Sequence, residues 1–321
     1  MVNDIKLGRL KIKNRLMLAP MSMYSDLGFS RICYEYGCAY TFTEQIYASD
    51  FIKKSLAVSR KIDLFDKGGI QFITNSVVDL KKAIKIVNEK EFYLGLDKVA
   101  SIDLNLGCPV QSVLKKNLGA AILKNPKLSR ELFSTLRSTS DLPVSVKMRL
   151  ALNAKHKKTK PYLRIAKIAE DEDIDFITVH GRNAGQMYSG DVDFHALEEI
   201  KENCDIPVVA NGGIDSKESA TRMLKVFDAI MIGQHALRAP FIFKEVLDSN
   251  WTYDLKKEKI NCLKKYWKYA ELYGMGFQHI KIHTQSFLKD VAGYEKVIAV
   301  LTHTKNELQM QKVLNKAGIK V

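Results

Sequence analysis

The chain has 321 residues, of which 46% are hydrophobic, enough to bury a core in one large barrel with an appendage or in two medium domains, and too many for a disordered polymer. Fifty Lys and Arg against 36 Asp and Glu leave a formal charge of +14, which favours a polyanionic partner through long-range attraction and counterion release, although a solvated lysine-rich surface gives the same number. The five cysteines, Cys33, Cys38, Cys108, Cys204 and Cys262, are odd in number and lack Cys-x-x-Cys or Cys/His spacing, which argues against a disulfide framework and against a metal site.

Residues 1–14 alternate charged and apolar positions without an uninterrupted apolar run. They support neither a signal peptide nor a membrane span, and a cytoplasmic protein is expected. Short β-rich apolar runs then recur at Leu16–Met21, Ala39–Thr43, Gly69–Phe72, Ser101–Asn105, Val144–Met148, Phe176–His180, Val208–Asn211 and Ala229–Ile232, eight candidate strands in all. Most intervals are long enough for a crossover helix, and Val77–Lys90, Pro126–Ser138 and Tyr162–Glu172 show helical periodicity. The repeated unit predicts an α/β fold, a (β/α)8 TIM barrel. An open doubly wound sheet would alternate similarly, but no Gly-x-Gly-x-x-Gly follows the first strand.

After Phe243 the strand pattern stops, and Leu255–Tyr273, Gln278–Asp290 and Glu295–Val313 read as helices of a small C-terminal bundle. The predicted division is a barrel over 1–244 and a helical domain over 245–321, with the boundary near Lys244. The helical part carries 13 Lys and Arg against 8 Asp and Glu, a candidate nucleic-acid surface that a solvated helix face explains equally well.

Loops after barrel strands are where chemistry sits. The most informative is Asp103-Leu-Asn-Leu-Gly-Cys108-Pro109, in which an apolar strand ends in residues poorly suited to any regular element. Cys108 there is a nucleophile, a general acid or a small buried hydrophobe, the last being the usual fate of a lone cysteine. Other strand ends bring Pro20 and Met21, Gln71, Lys147 and Arg149, His180 and Arg182, Asn211-Gly212-Gly213 and Gly233 to the same mouth. Lys147 inside an apolar run is expensive to bury without an anionic partner. His180 alone is as compatible with a satisfied core histidine as with a site residue. Glycines after the last two strands let backbone N–H groups approach an anion. The loop Ala154–Lys160 adds Lys155, Lys157 and Lys158, which could hold phosphates at the barrel rim.

Together the motifs resemble the tRNA-dihydrouridine synthase family, through Leu18-Ala-Pro-Met21, Gly69-Ile-Gln71, the Cys108 loop, Val146-Lys-Met-Arg149, Thr178-Val-His-Gly-Arg182, Tyr188-Ser-Gly190, Asn211-Gly-Gly-Ile214 and Met231-Ile-Gly233. The resemblance runs from about Ile12 to Phe243, and its Asn-x-Gly-Cys-Pro element is the most specific part. It implies FMN surrounded by Pro20, Met21, Ser22, Gln71, Lys147, His180, Asn211, Gly212, Gly213, Gly233 and Gln234, with NADPH or NADH as reductant. It implies Cys108 as the acid that protonates uracil C5 while hydride reaches C6, so Cys108 must be a thiol rather than a thiolate. It further implies tRNA as partner, with the uracil flipped out of its stack and met by Asn105, Arg149, Arg182 and the loop lysines. Asn105 is a candidate for orienting either the uracil edge or the Cys108 loop. A monomer is expected.

Three departures stand out: Ser22-Met23 where many members have Ala-Gly, Leu150-Ala151 where a glycine is expected, and Gly233-Gln234-His235 where the family usually places an arginine after the glycine. Arg238 or His235 is the candidate replacement for that missing charge. The competing readings are an FMN barrel acting on a free pyrimidine and a catalytically inactive RNA-binding barrel.

Overall fold

A computed structural model of the protein describes residues 4–59, 61–62 and 64–321. Its strands are β1 (Ile5–Leu7), β2 (Leu10–Ile12), β3 (Leu16–Leu18), β4 (Ile46–Tyr47), β5 (Gly68–Ile73), β6 (Val99–Leu106), β7 (Val144–Arg149), β8 (Phe176–His180), β9 (Val208–Asn211) and β10 (Ala229–Ile232). All but the first two form a parallel sheet in the order β3-β10-β9-β8-β7-β6-β5-β4, with helices in the connections. The sheet closes through residues 39–43, where Tyr40 bridges Met17 and Phe42 bridges Gly69. There the amide of Leu18 donates to the Tyr40 carbonyl at 2.9 Å and that of Thr43 to the Gly69 carbonyl at 2.8 Å. The fold is the (β/α)8 barrel that the alternation predicts. The expected strand Ala39–Thr43 lies in its place but pairs only through these isolated bridges, and the expected first strand stops at Leu18, two residues before Pro20.

The β1–β2 hairpin is a feature the sequence reading did not foresee. It pairs antiparallel, and its Leu7, Leu10 and Ile12 are buried with Met17, Tyr40, Phe42, Phe176 and Val209, plugging one end of the barrel. Gly8 at the turn has φ +57°, and a Cβ there would meet the backbone oxygen of Asp175 at 2.6 Å, so the close approach requires glycine. Arg9 fastens the hairpin by donating to both carboxylate oxygens of Asp175, at 3.0 Å from Nε and 2.9 Å from Nη2. The C-terminal strand ends are left open for the site.

The helical region comprises Leu255–Leu272, Phe277–Leu288, Glu295–Thr302 and Glu307–Lys316. The single helix expected over Glu295–Val313 is two. The Thr304 hydroxyl donates to the Leu301 carbonyl, and the Asn306 side chain caps a new helix by accepting from the Gln309 amide at 3.0 Å. Helix Ile242–Leu247 runs through the boundary expected near Lys244, and the long helices begin at Leu255. Among the described residues no helix is long and apolar enough to cross a membrane.

One buried carboxylate joins the two parts. Asp26 caps helix Leu27–Glu35 through Oδ1, which accepts from the Phe29 amide. Its Oδ2 accepts from the Tyr266 hydroxyl at 2.7 Å and faces His279 Nδ1 and His283 Nε2 at 3.2 and 3.1 Å. These partners hold Asp26 well below the usual carboxylate range against the opposing cost of burial, and the Asp26 hydrogen bond raises His279 above its ordinary value. Asp26→Ala should therefore cost about 3 kcal/mol of stability, the scale for a buried charged network that loses one member. A raised histidine stabilises the native state below its unfolded pKa, and this is lost as pH rises through the folded value. The deficit of the variant should thus be larger at pH 6 than at pH 9, as read from melting temperatures of the two proteins at each pH.

Candidate active site

The C-terminal ends of the strands open into a cavity of about 500 Å³, a size suited to a cofactor or a small substrate. The loop after β3 supplies Pro20, Met21 and Ser22; β5 supplies Gln71; β6 and its loop supply Asn105 and Cys108; β7 supplies Lys147 and Arg149. His180 ends β8 and Arg182 follows it, Asn211 ends β9 with Gly212 and Gly213 after it, and Gly233 and Gln234 follow β10. Thus one cavity gathers every expected residue except Lys155, Lys157 and Lys158. Those three lie outside the lining: Lys157 pairs with Asp193, while Lys155 and Lys158 sit in a short helical turn capped by Asn153 and its end. Tyr24, Gln45, Tyr188 and Asp215 also line the cavity and were not assigned to the site from sequence. Tyr188, within a motif, was the most accessible to such reasoning.

Asn105 organises the Cys108 loop. Its Oδ1 accepts from the backbone amides of Gly107 and Cys108, both at 2.9 Å. Its Nδ2 donates to Gln71 Oε1 at 2.8 Å and to Gln45 Oε1 at 3.2 Å. The side chain is therefore saturated, with two donors and two lone pairs all engaged. Of the two roles open to Asn105, this geometry favours loop orientation. Gly119, at φ +59°, backs the loop so closely that a Cβ would meet the Cys108 carbonyl oxygen at 2.7 Å. Arg149 braces it from the other side, donating from Nε to the Gly107 carbonyl at 3.0 Å and from Nη1 to the Asn183 carbonyl at 3.1 Å. All five cysteines are free; four are buried, and Cys108 is half-buried at the cavity wall.

The lining from the neighbouring strands is basic. Lys147 Nζ donates to Asn211 Oδ1 at 3.0 Å, and Asn211 Nδ2 donates to the Met231 carbonyl at 2.7 Å. Burial, with Arg149 nearby, pushes Lys147 down to about 8. Burial likewise lowers Arg149 to about 10. His180 falls well below its ordinary value, first through burial and then through the charges of Arg149, Lys147 and Arg182. It is therefore neutral, with Nε2 facing Arg182 Nη1 at 3.3 Å, an acceptor position that leaves the proton on Nδ1. Among the described residues no carboxylate forms an ion pair with Lys147, Arg149 or Arg182, whose hydrogen bonds go to neutral oxygens and a neutral ring. Such a wall is built to receive negative charge.

The family model for dihydrouridine synthase matches residues 17–318. The chain belongs to the dihydrouridine synthase family. It is 32% identical over 247 residues to tRNA-dihydrouridine synthase B of Shewanella oneidensis and 31% over 244 residues to that of Vibrio parahaemolyticus, in each case covering 75% of this chain and 74% of the relative. The Escherichia coli K12 protein of the same name is 29% identical over 245 residues. A variant of NCR from Zymomonas mobilis has the same barrel, with a TM-score of 0.56 at 13% identity over 79% of this chain and 92% of that one. Morphinone reductase gives 0.56 at 10% identity over 79% and 90%.

Against this family background the departures acquire a physical form. Met23, at a position where many dihydrouridine synthases have glycine, adopts φ +69°, and its amide donates to Glu44 Oε1 at 2.9 Å, which holds the strained residue in place. At the end of the cavity bounded by β9 and β10, Gly212 has φ +96° and Gly213 +67°, and a Cβ on Gly212 would meet the His180 ring at 2.4 Å. Of the two candidates for the missing arginine charge, His235 lines the cavity, whereas Arg238 lies outside its lining and pairs with Asp290 at 3.4 Å.

A buried lysine with a depressed pKa costs stability while it is charged, and this cost fades as pH rises past its folded value toward the unfolded one. Lys147→Met in the ligand-free protein should therefore gain on the order of 2 kcal/mol at pH 7 and lose most of that gain by pH 10. Urea unfolding at the two pH values checks this.

Proposed function

We propose that the protein is a tRNA-dihydrouridine synthase that reduces the C5=C6 bond of uridines in tRNA to 5,6-dihydrouridine with FMN and NADPH or NADH. The observation that carries this reading is that one cavity is lined by Cys108, by Lys147, which among the described residues has no ion-pair partner, and by the glycines after β9 and β10. FMN fits the residues present: the Gly212-Gly213 and Gly233 backbone can approach a phosphate, and Lys147 offers charge to an anionic ring. Gln71 also lines the cavity, its amide held between Asp103 and Asn105. Pro20, Met21, Ser22, His180, Asn211 and Gln234 complete the enclosure.

The chemistry that FMN would supply when held by these residues and reduced by the nicotinamide is a hydride for uracil C6. Cys108 gives its proton from Sγ to C5 and recovers it from solvent, so the uracil gains one hydride and one proton. The loop bonds made by Asn105, Gly119 and Arg149 keep that thiol at the cavity wall, which is the orientation a general acid requires. The target base must leave its stack, at a cost of a few kcal/mol, and the +14 chain attracts the polyanion that carries it. On this reading flanking backbone would meet Arg182 at the cavity and, beyond its lining, Lys155 and Lys158 on the loop after β7. The expected setting is the cytoplasm, with the protein acting as a monomer.

Incubation with unmodified tRNA, FMN and NADPH should yield dihydrouridine. Cys108→Ala should lower that rate by about 10²–10⁴, the range for a general acid, while NADPH still reduces the flavin. An unchanged rate of uracil reduction in Cys108→Ala across a pH series would show that another group gives the proton. Reduction of free uracil with indifference to tRNA would favour the small-molecule alternative.

A further inference from the structure

Behind the Cys108 loop lies a file of polar side chains on the inward faces of β5 and β6. Its direction is set from the loop end by groups that can only donate. The amides of Gly107 and Cys108 require an acceptor, so Asn105 faces them with Oδ1 and turns Nδ2 inward. Nδ2 in turn requires an acceptor, which Gln71 supplies with Oε1 at 2.8 Å. Gln71 thereby presents Nε2 to the next member, and Asp103 Oδ2 accepts from it at 2.7 Å. The other oxygen of Asp103 accepts from the Ser145 hydroxyl at 2.6 Å. Asp103 is 1% exposed and Gln71 is 1% exposed, so water cannot substitute for a lost partner.

We propose that Asp103 is a positioning residue for Cys108, its Oδ2 fixing the orientation of both amides between them and so the seat of the Cys108 loop. This rests on the general-acid reading of Cys108 given above. An amide whose far end is unconstrained can turn over at the cost of its neighbours' bonds. A reversed Gln71 would face Asn105 with a donor, and Asn105 would either lose that bond or turn a donor toward two backbone N–H groups. An acceptor at position 103 blocks both outcomes. What is needed there is a lone pair, not a charge. Burial pushes Asp103 up to about 7, yet a proton has Oδ1 to occupy, where the Ser145 hydroxyl can rotate to accept it, and Oδ2 remains an acceptor. The relay thus keeps its direction whether or not Asp103 is ionised.

The test measures hydrogen–deuterium exchange of the Gly107 and Cys108 amides in the flavin-free protein, in Asp103→Leu, Asp103→Asn, Gln71→Met and the double variant Asp103→Leu/Gln71→Met. Asp103→Leu and Gln71→Met should each speed exchange at these two amides by roughly tenfold or more, the scale of one lost buried hydrogen bond, while Phe176–His180 stays protected. Asp103→Asn, with Oδ1 toward Gln71 and Nδ2 toward Ser145, should stay within about twofold of the wild type. The double variant should exchange no faster than the faster single, because both cut one relay. In the tRNA assay Asp103→Leu should lower kcat with little change in KM for tRNA, and Asp103→Asn should restore kcat. Multiplicative effects in the double variant, or Asp103→Asn as fast-exchanging as Asp103→Leu, would overturn the relay. Should Asp103→Leu fail to fold, Asp103→Asn beside Gln71→Met still decides the matter. Exchange does not depend on catalysis, so full activity in Cys108→Ala would remove the general acid and leave the exchange result standing.

Discussion

Positive charge gathered at one barrel mouth, with no carboxylate among the described residues forming an ion pair with it, is the constraint from which the rest of the site follows. Lys147, Arg149 and Arg182 converge there on neutral partners, and their combined field with burial keeps His180 neutral. An arrangement of this kind lowers the stability of the empty protein and strengthens every contact with an anion that enters. It accounts for the glycines nearby, whose backbone can draw close to a negatively charged group, and for Asn211, which holds the Lys147 ammonium in the cavity. Cys108 follows β6, the strand paired with the one that carries Lys147 and Arg149, so its half-buried thiol lines the same mouth as this charge.

Rigidity comes from elsewhere in the fold. The β1–β2 hairpin seals the far end of the barrel, so strand ends at the mouth are anchored below by a packed apolar layer. The Asp26 carboxylate ties the helical region to the segment following β3, a few residues beyond Met21 and Ser22 in the cavity wall. The C-terminal helices are thus fixed relative to the mouth by buried polar contacts as well as by apolar ones. A partner held by those helices would be presented to the cavity in a defined orientation.

Much of this was legible in the sequence because barrel strands are buried on both faces and read as short apolar runs. Polar residues at their C-terminal ends, such as Lys147, His180 and Asn211, then stand out as exceptions with a purpose. The reading was weaker where local pattern underdetermines pairing. Residues 5–12 alternate charged and apolar positions, but only the tertiary fit of Gly8 against Asp175 shows that they cap the barrel. The break at 303–306 depends on capping by Asn306, which apolar periodicity does not register. The lysine loop looked like part of the mouth because of its place after β7, yet Lys157 finds Asp193, a partner 36 residues away in sequence. Gln45 entered the site through its bond to Asn105, a contact across strands that no local motif encodes.

The central claim, that the basic wall and glycine cradle form a flavin site, is tested most directly by titrating the flavin-free protein with FMN and following the quenching of flavin fluorescence. One FMN should bind per chain, with the Lys147→Met variant binding at least tenfold more weakly, in keeping with the loss of a charge-assisted contact. A protein that takes up no FMN, or one whose affinity is untouched by Lys147→Met, would contradict it.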